Sequence, residues 1–371
     1  MSNLNYVTYQ SFPASTANSI QTISNIKYLI RNGLKVTLYF PLREKESSTH
    51  LSELKEYYSV KENFKVEGIK HNLPFGKVNI FNRILFLISH LIWSYSIVNK
   101  LVKERPSSDL YLTRSDWVFY FLSKKNSNVT FECHQYTRLR KFLINQSLKK
   151  KTSKIIFLNS NLKDDYEDKY SLHNNYIVLH NGVDLEYYSS VKKDIGKEIV
   201  FVGKLRRFNA SRNISFLLNG IASLDDNYTL KIIGAEKSEK KELIELSKSL
   251  GIENRVIILE RVRYSDVARY LSSSSIGILI NSSSNEHSTS YTSPLKYFEY
   301  LAAGLKVLAV DFPSHRSLPF SQYIEFYTEE NIQSFVNAVK NIENMKTISK
   351  TELSYISLEK RASEINKFIN F

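Results

Sequence analysis

Apolar residues recur along this chain with two alternating periods. Residues 4–9, LNYVTY, read as a strand, and SFPASTANS as a loop. Ile20, Ile23, Ile26 and Ile30 then follow at the spacing of one helix face, Gly33 ends that helix, and LKVTLYF (34–40) is a second strand. Strand, helix and strand joined by short links form the repeating unit of a parallel sheet. DLYLTR (109–114), NVTFECH (128–134), SKIIFLNS (153–160) and YIVLHNGVD (176–184) continue the strands. A second series opens at EIVFVGKL (198–205). It continues through YTLKIIG (228–234), a charged amphipathic helix over 236–250, NRVIILERV (254–262), and a helix and strand in SDVARYLSSSSIGILIN (265–281).

Residues 80–103, IFNRILFLISHLIWSYSIVNKLVK, form the longest apolar run and approach membrane-spanning length. Arg83 and His90 interrupt it, and an arginine in a span costs about 2.5–3.5 kcal/mol. Asn82, Ser89 and Ser96 recur every seven residues as a polar stripe. The expectation is one or two largely buried helices, closed by Pro106.

Between the second-series strands ending at Asn281 and beginning at Leu305 lies NSSSNEHSTSYTSPLKYFEYLAAG (281–304), a loop ending in a short helix. Ser293 suits the N-cap, Pro294 the first helical position, and Gly304 the position past the end. Leu295, Phe298, Leu301 and Ala302 make an apolar stripe, and Glu299 lies at its edge, where a carboxylate needs a partner. The N–H groups of Leu295 and Lys296, at the positive end of the helix dipole, suit a phosphate. The blander reading is a capped amphipathic helix whose Glu299 reaches water.

SPLKYFEYLAAG, followed by LKVLAV and DFPS, resembles the donor-site signature of the GT-B glycosyltransferases, glycosyltransferase family 4 in particular, in its SPLK-type branch. By that resemblance Ser293, Pro294, Leu295 and Lys296 hold the donor diphosphate and Glu299 binds the nucleotide ribose. The family's earlier Glu, eight residues before, is Tyr291 here, with Glu286 nearby but out of register. Gly203 ends a strand and is followed by Lys204, Arg206, Arg207 and Arg212. The family's two pyrophosphate-binding cations match Lys204 and Arg212 best, with Arg206 or Arg207 as alternatives for either. FECH resembles the strand whose terminal His, here His134, faces the acceptor. Thr130, Glu132 and His134 share one strand face and Cys133 the other, so Cys133 and His134 are no nucleophile–base pair. A hydrogen-bonded structural histidine is the plainer reading. NGVD resembles the junction between the family's two domains, and Glu260 and Arg261 replace a small residue beside the base.

Composition narrows the alternatives. With 371 residues, 42% of them hydrophobic, the chain is long enough for two cores. A single cysteine excludes a disulfide framework and fits a reducing compartment. The first residues, MSNLNYVTYQSF, lack a basic stretch followed by an apolar one, so no signal peptide is expected. The net charge is +14, and 26 of the 51 Lys and Arg, against 16 of the 37 Asp and Glu, fall within residues 1–190. The plainest reading is a solubility charge. The run Arg138, Arg140, Lys141, Lys149, Lys150, Lys151 and Lys154 reads first as a solvated helix face and more sharply as a membrane-surface or polyanion contact. No G-x-G-x-x-G, G-x-x-x-x-G-K-[ST] or H-E-x-x-H occurs, so nicotinamide, P-loop and zinc-protease chemistry lack a motif.

The expected fold is α/β: two facing Rossmann-like domains of the GT-B type with a cleft between them. Residues 1–186 form the acceptor side, with a helix over 355–371 crossing back, and 187–354 bind the donor. The resemblance implies a retaining, metal-independent glycosyltransferase without a cofactor, acting in cell-surface polysaccharide, lipopolysaccharide or glycolipid synthesis. His134 and Glu299 are the catalytic candidates. Gly203, Lys204, Arg212, Ser293, Pro294, Leu295, Lys296 and Glu299 are the donor-binding ones. The expected partners are a nucleotide-sugar donor, a lipid-linked or glycan acceptor and an anionic membrane surface, with no nucleic acid. The expected place is the cytoplasm, at the inner face of the membrane. The alternatives are a GT-B-type nucleotide-sugar epimerase, or a non-catalytic binder of nucleotide sugar or nucleic acid.

Overall fold

The computed structural model describes residues 2–44, 46–71, 73, 80–167, 175–188, 196–207 and 210–370. The chain divides into two compact units, Met1–Leu179 with Leu358–Phe371, and His180–Ser357. The first boundary expected from sequence was 186/187, and the returning helix was expected to begin at 355.

The first unit holds seven strands: β1 (Asn3–Val7), β2 (Lys35–Leu42), β3 (Lys65–Lys70), β4 (Leu110–Thr113), β5 (Asn128–Cys133), β6 (Ser153–Phe157) and β7 (Tyr176–Val178). All pair in parallel, in the order β3-β2-β1-β4-β5-β6-β7. Helices α1 (Ala17–Arg31), α2 (Leu51–Tyr58), α3 (Ile80–Glu104), α4 (Asp116–Lys124), α5 (Arg138–Leu148) and α6 (Ser160–Glu167) connect them. The order reverses between β1 and β4, so right-handed crossovers put α1 and α2 on one sheet face and α3 to α6 on the other. The Thr16 hydroxyl caps α1 by accepting the Ser19 N–H, and Ile23 and Ile26 of the expected stripe are fully buried.

Helix α3 corrects an expectation. It is a single 25-residue helix, and its N-terminal half is not largely buried. Ser89 faces inward, where the Tyr9 hydroxyl at 2.8 Å and the Leu73 carbonyl at 2.9 Å satisfy it. Those bonds hold Ser89 inward on a helix whose Ile84, Leu85, Ile88 and Ile92 face solvent. The expected polar stripe therefore splits: Ser89 is buried and Ser96 exposed. The side chains of Asn82 and Arg83 lie outside the described residues.

The second unit has a six-stranded parallel sheet of β8 (Glu198–Val202), β11 (Thr229–Ala235), β12 (Val256–Glu260), β13 (Ile276–Leu279), β14 (Lys306–Val310) and β15 (Ile324–Tyr327). A two-residue antiparallel hairpin, β9 (Arg206–Arg207) with β10 (Ala210–Ser211), follows β8. The sheet order is β12-β11-β8-β13-β14-β15, reversing between β8 and β13. Ile199 and Phe201 of β8 enter one core and Val200 and Val202 the other, as period two requires of a strand covered on both faces. The helices are α7 (Ile214–Ala222), α8 (Lys237–Ser249), α9 (Val267–Ser272), α10 (Leu295–Ala302), α11 (Pro313–Arg316), α12 (Ile332–Ile342) and α13 (Lys350–Tyr355). The last helix, α14 (Leu358–Asn370), belongs to the first unit and packs on α1 through Ala362, Ile365 and Ile369.

Candidate functional site

In open parallel sheets, ligands collect at the carboxyl ends of the strands where the order reverses. In the second unit that point lies between β8 and β13, and the sequence candidates surround it. Gly203 and Lys204 follow β8, and the loop 281–294 follows β13.

The two strands pair only at Ile199 with Ile276 and Val200 with Gly277. Beyond that they part, and Tyr300 of α10 enters between them. Its hydroxyl accepts the Val202 N–H at 3.1 Å and donates to the Ile278 carbonyl at 3.4 Å. Position 277 must be glycine, because a Cβ there would run into the Tyr300 ring.

The loop before α10 is pinned at three places. Asn181 donates its N–H to the Ser293 hydroxyl at 3.1 Å and its side-chain amide to the Ser293 carbonyl at 2.6 Å. The Ser314 hydroxyl donates to the Ser288 carbonyl at 2.9 Å, and the Ser283 N–H reaches Glu329 at 2.9 Å. Because Asn181 takes its hydroxyl, Ser293 does not cap the helix. Pro294 occupies the N-cap and Leu295 opens α10, one residue later than the sequence suggests. Gly304 ends the helix with φ +73°, its N–H on the Leu301 carbonyl and the Leu305 N–H on the Tyr300 carbonyl, as in a Schellman motif.

Glu299 is only 2% exposed, and Lys296, one turn back, is its ion-pair partner. Burial, then the Glu299 charge, pushes the Tyr188 phenol well above its ordinary range. Arg212 donates its N–H to the Leu205 carbonyl at 2.9 Å, and its guanidinium lies beside the Phe201 ring. A Cβ at Gly203 would stand 3.1 Å from Arg212 Nη1, so glycine leaves room for that side chain. Lys204 and Arg206 are exposed, and the Arg207 side chain lies outside the described residues. The Tyr291 hydroxyl donates to Glu286 at 3.3 Å, so the two residues share one end of the loop. The site thus gathers cations and first-turn amides beside one buried carboxylate, an arrangement suited to a diphosphate ester.

In the first unit His134 follows β5 and Arg114 follows β4, again at the carboxyl ends. Arg114 Nη2 donates to His134 Nδ1 at 2.7 Å and to Gln21 at 3.1 Å. Nδ1 is therefore an acceptor, and the proton on Nε2 goes to Glu132 at 2.6 Å. Both ring nitrogens are engaged. Burial, reinforced by the Arg114 charge, lowers the His134 pKa to about 3, so the ring is neutral near pH 7. Burial alone would raise the Glu132 carboxyl, but Arg361 of α14, 3.2 Å away, leads the charges that hold it well below the usual range. Sequence reading took His134 and missed Arg114, Glu132 and Arg361. The i, i+2 spacing of Glu132 and His134 on one strand face was the available signal. A second cluster, also missed, joins the Tyr9 hydroxyl to His71 at 3.0 Å and stacks Tyr9 on His90 at 4.4 Å. Among the described residues no group of three His, Cys, Asp or Glu gathers as metal ligands would.

Residues 196–345 match the family model described as glycosyl transferases group 1. Among solved structures, sucrose-phosphate synthase from Thermosynechococcus elongatus aligns with a TM-score of 0.73 at 13% identity, covering 100% of this chain and 98% of that one. Anabaena HepE in complex with UDP aligns with a TM-score of 0.67 at 14% identity, covering 100% of both. A curated protein, the DNA-directed RNA polymerase subunit beta' of Oedogonium cardiacum, is 26% identical over 211 residues, 49% of this chain. The chain spans 11% of that subunit's length, and the match assigns it no role.

Proposed function

The chain has the GT-B fold and carries a glycosyltransferase group 1 domain over residues 196–345, and we propose that it transfers a sugar from a nucleotide diphosphate donor to a hydroxyl acceptor with retention at the anomeric carbon. One observation carries the reading. The pinned loop 281–294 delivers the start of α10, with Lys296 and Glu299, to the same sheet reversal that holds Gly203, Lys204 and Arg212. Lys204, Arg212 and the N–H groups of Leu295 and Lys296 stabilise the leaving diphosphate, whose charge grows as the glycosyl bond breaks. Glu299 accepts the ribose hydroxyls. A departing phosphate oxygen takes the acceptor proton, so no side-chain base is required. Cationic side chains supply the charge that a metal would otherwise bring, which makes transfer metal-independent. The acceptor is a lipid-linked or glycan hydroxyl, in polysaccharide, lipopolysaccharide or glycolipid synthesis. Uridine diphosphate sugars are the first donors to try, since the HepE structure holds UDP.

Calorimetric titration with nucleoside diphosphates and the matching nucleosides tests this. A diphosphate should bind and its nucleoside bind far more weakly. Lys204→Ala and Arg212→Ala should each weaken the diphosphate selectively, because the charge acts on phosphate. Equal losses for both ligands, or no diphosphate bound at all, would sink the reading. Epimerised or hydrolysed sugar without transfer would favour the epimerase alternative. Turnover abolished by a chelator and restored by magnesium would refute metal independence.

A further inference from the structure

The sheet face of the first unit that carries α3, α4 and α5 turns apolar side chains to solvent. Ile84, Leu85, Leu87, Ile88, Ile92 and Tyr95 of α3 are 46–57% exposed. Leu139 and Phe142, in the first two turns of α5, are also exposed. Between them α4 packs on both helices and supplies aromatic rings. Phe121 meets Tyr95 edge-on at 5.5 Å and stacks on Trp117 at 5.9 Å.

Ile84 to Ile92 lie in the first half of α3 and Leu139 and Phe142 in that of α5, and Trp117 is the second residue of α4. In this topology each helix starts at the carboxyl end of the preceding strand. The patch therefore lies towards the sheet edge that carries His134 and Arg114. A run of exposed apolar and aromatic residues this continuous marks an interaction surface.

Residues Ile84–Glu104 are long and apolar enough to cross a membrane. Crossing would pull Trp93, Ile97, Val98 and Leu101 out of the interior, where each is at most 1% exposed. The helix is built to lie on a bilayer, not to pass through it.

Charge selects the occupant. Residues 80–151 contain 13 Lys and Arg against four Asp and Glu. Of those acids Asp109 and Glu132 are buried, Asp116 is paired with Arg140 and Glu104 with Lys100. A second copy of the chain, itself +14, would be repelled, whereas anionic headgroups bring the opposite charge. Trp and Tyr, apolar rings with polar tips, suit the boundary between headgroup and acyl chain.

We infer that this face docks on an anionic bilayer, with the exposed stripe of α3, Trp117, Phe121, Leu139 and Phe142 seated in the headgroup–acyl boundary. Lys149, Lys150 and Lys151 follow the last residue of α5, at the other end of that helix. Apolar contact, not that basic run, holds the protein. Docking needs no turnover and is independent of the donor reading. If the acceptor is lipid-linked, this face brings it to the carboxyl ends of the first sheet.

The test is co-sedimentation of the full chain with phosphatidylcholine vesicles, with and without phosphatidylglycerol. The parent should pellet with the anionic vesicles and stay largely bound in high salt. Ile88→Asn with Ile92→Asn should cut the bound fraction about tenfold while melting still shows a cooperative folded state, because both residues are about half exposed. Lys149→Glu, Lys150→Glu and Lys151→Glu together should cut it far less. Parent-like binding by the double variant, release of the parent by salt, or no pelleting would each overturn the inference. So would a parent dimer in sedimentation velocity that the same double substitution dissolves, which would assign the face to a second copy.

Discussion

The hydroxyl of Tyr300 accepts the backbone N–H of Val202 at 3.1 Å and stands in for the rung that β13 does not offer β8. This bond ties α10, which carries Glu299, to the strand that Gly203 follows. Tyr300→Phe would keep the ring and leave a buried N–H without its partner, at a cost of roughly 1–3 kcal/mol. Urea unfolding should register that loss, and the donor KM should rise because the start of α10 is no longer tied to the end of β8. Wild-type stability in the variant would mean that Val202 finds another acceptor.

Glu299 and Lys296 should separate function from folding. Glu299→Gln removes the charge and keeps a hydrogen-bonding group, so its melting temperature should move little. Its kcat/KM for the donor should fall at least about tenfold, or 1.4 kcal/mol. Lys296→Met instead leaves the Glu299 carboxylate buried without its cation, which costs roughly 3 kcal/mol. Steady-state kinetics and thermal melting of both variants decide it. A large stability loss in Glu299→Gln with unchanged kinetics would make the pair purely structural.

Much of this arrangement was legible from one-dimensional pattern. The alternation of strand and helix gave both sheets, because parallel strands buried on two faces read as apolar runs, as EIVFV does. The spacing from Leu295 to Gly304 marked α10 and its glycine terminus. What stayed hidden depends on contacts between distant segments. Nothing local says that Asn181 will take the Ser293 hydroxyl and shift the helix start by one residue. Nothing local pairs Glu132 with Arg361, 229 positions away. The burial of α3 was misread for the same reason: nothing local says that Tyr9 and Leu73 will hold Ser89 inward while Ile84, Leu85 and Ile88 face solvent.

The Glu132–Arg361 pair invites a double-mutant cycle. Arg361→Gln leaves an ionised carboxylate with no accessible surface short of its nearest cation and should cost roughly 3–5 kcal/mol. Glu132→Gln together with Arg361→Gln removes both charges and should recover much of that loss. The coupling measured by chemical denaturation should exceed 1 kcal/mol, as it does for residues in one charged network. Additive single and double effects would show that Arg114 alone suffices to hold Glu132.

Acid should weaken this protein through its buried histidines before its carboxylates titrate. Burial lowers His90 to about 4, His134 to about 3 and His315 to about 4. His315 sits with Nδ1 donating to the Val310 carbonyl at 2.8 Å, and His90 lies 2.6 Å from the Ser115 hydroxyl. In the unfolded chain each returns to the ordinary value near 6.5. A histidine whose folded pKa is lowered takes up a proton on unfolding, so its stabilising effect is complete above pH 6.5. That effect is lost progressively as the pH falls from 6.5 towards 4. Within that window each histidine contributes about 1.4 kcal/mol per pH unit, and three together give a steep slope. Glu132, lowered below its ordinary value, adds to the loss only under about pH 4.5, so pH 5 to 6.5 isolates the imidazoles. Denaturant unfolding at half-unit steps across that range should show stability falling with acid. His315→Gln, which removes one titrating group, should make the fall shallower by about one histidine's share. A flat profile from pH 6.5 to 5 would mean that these rings reach water before global unfolding.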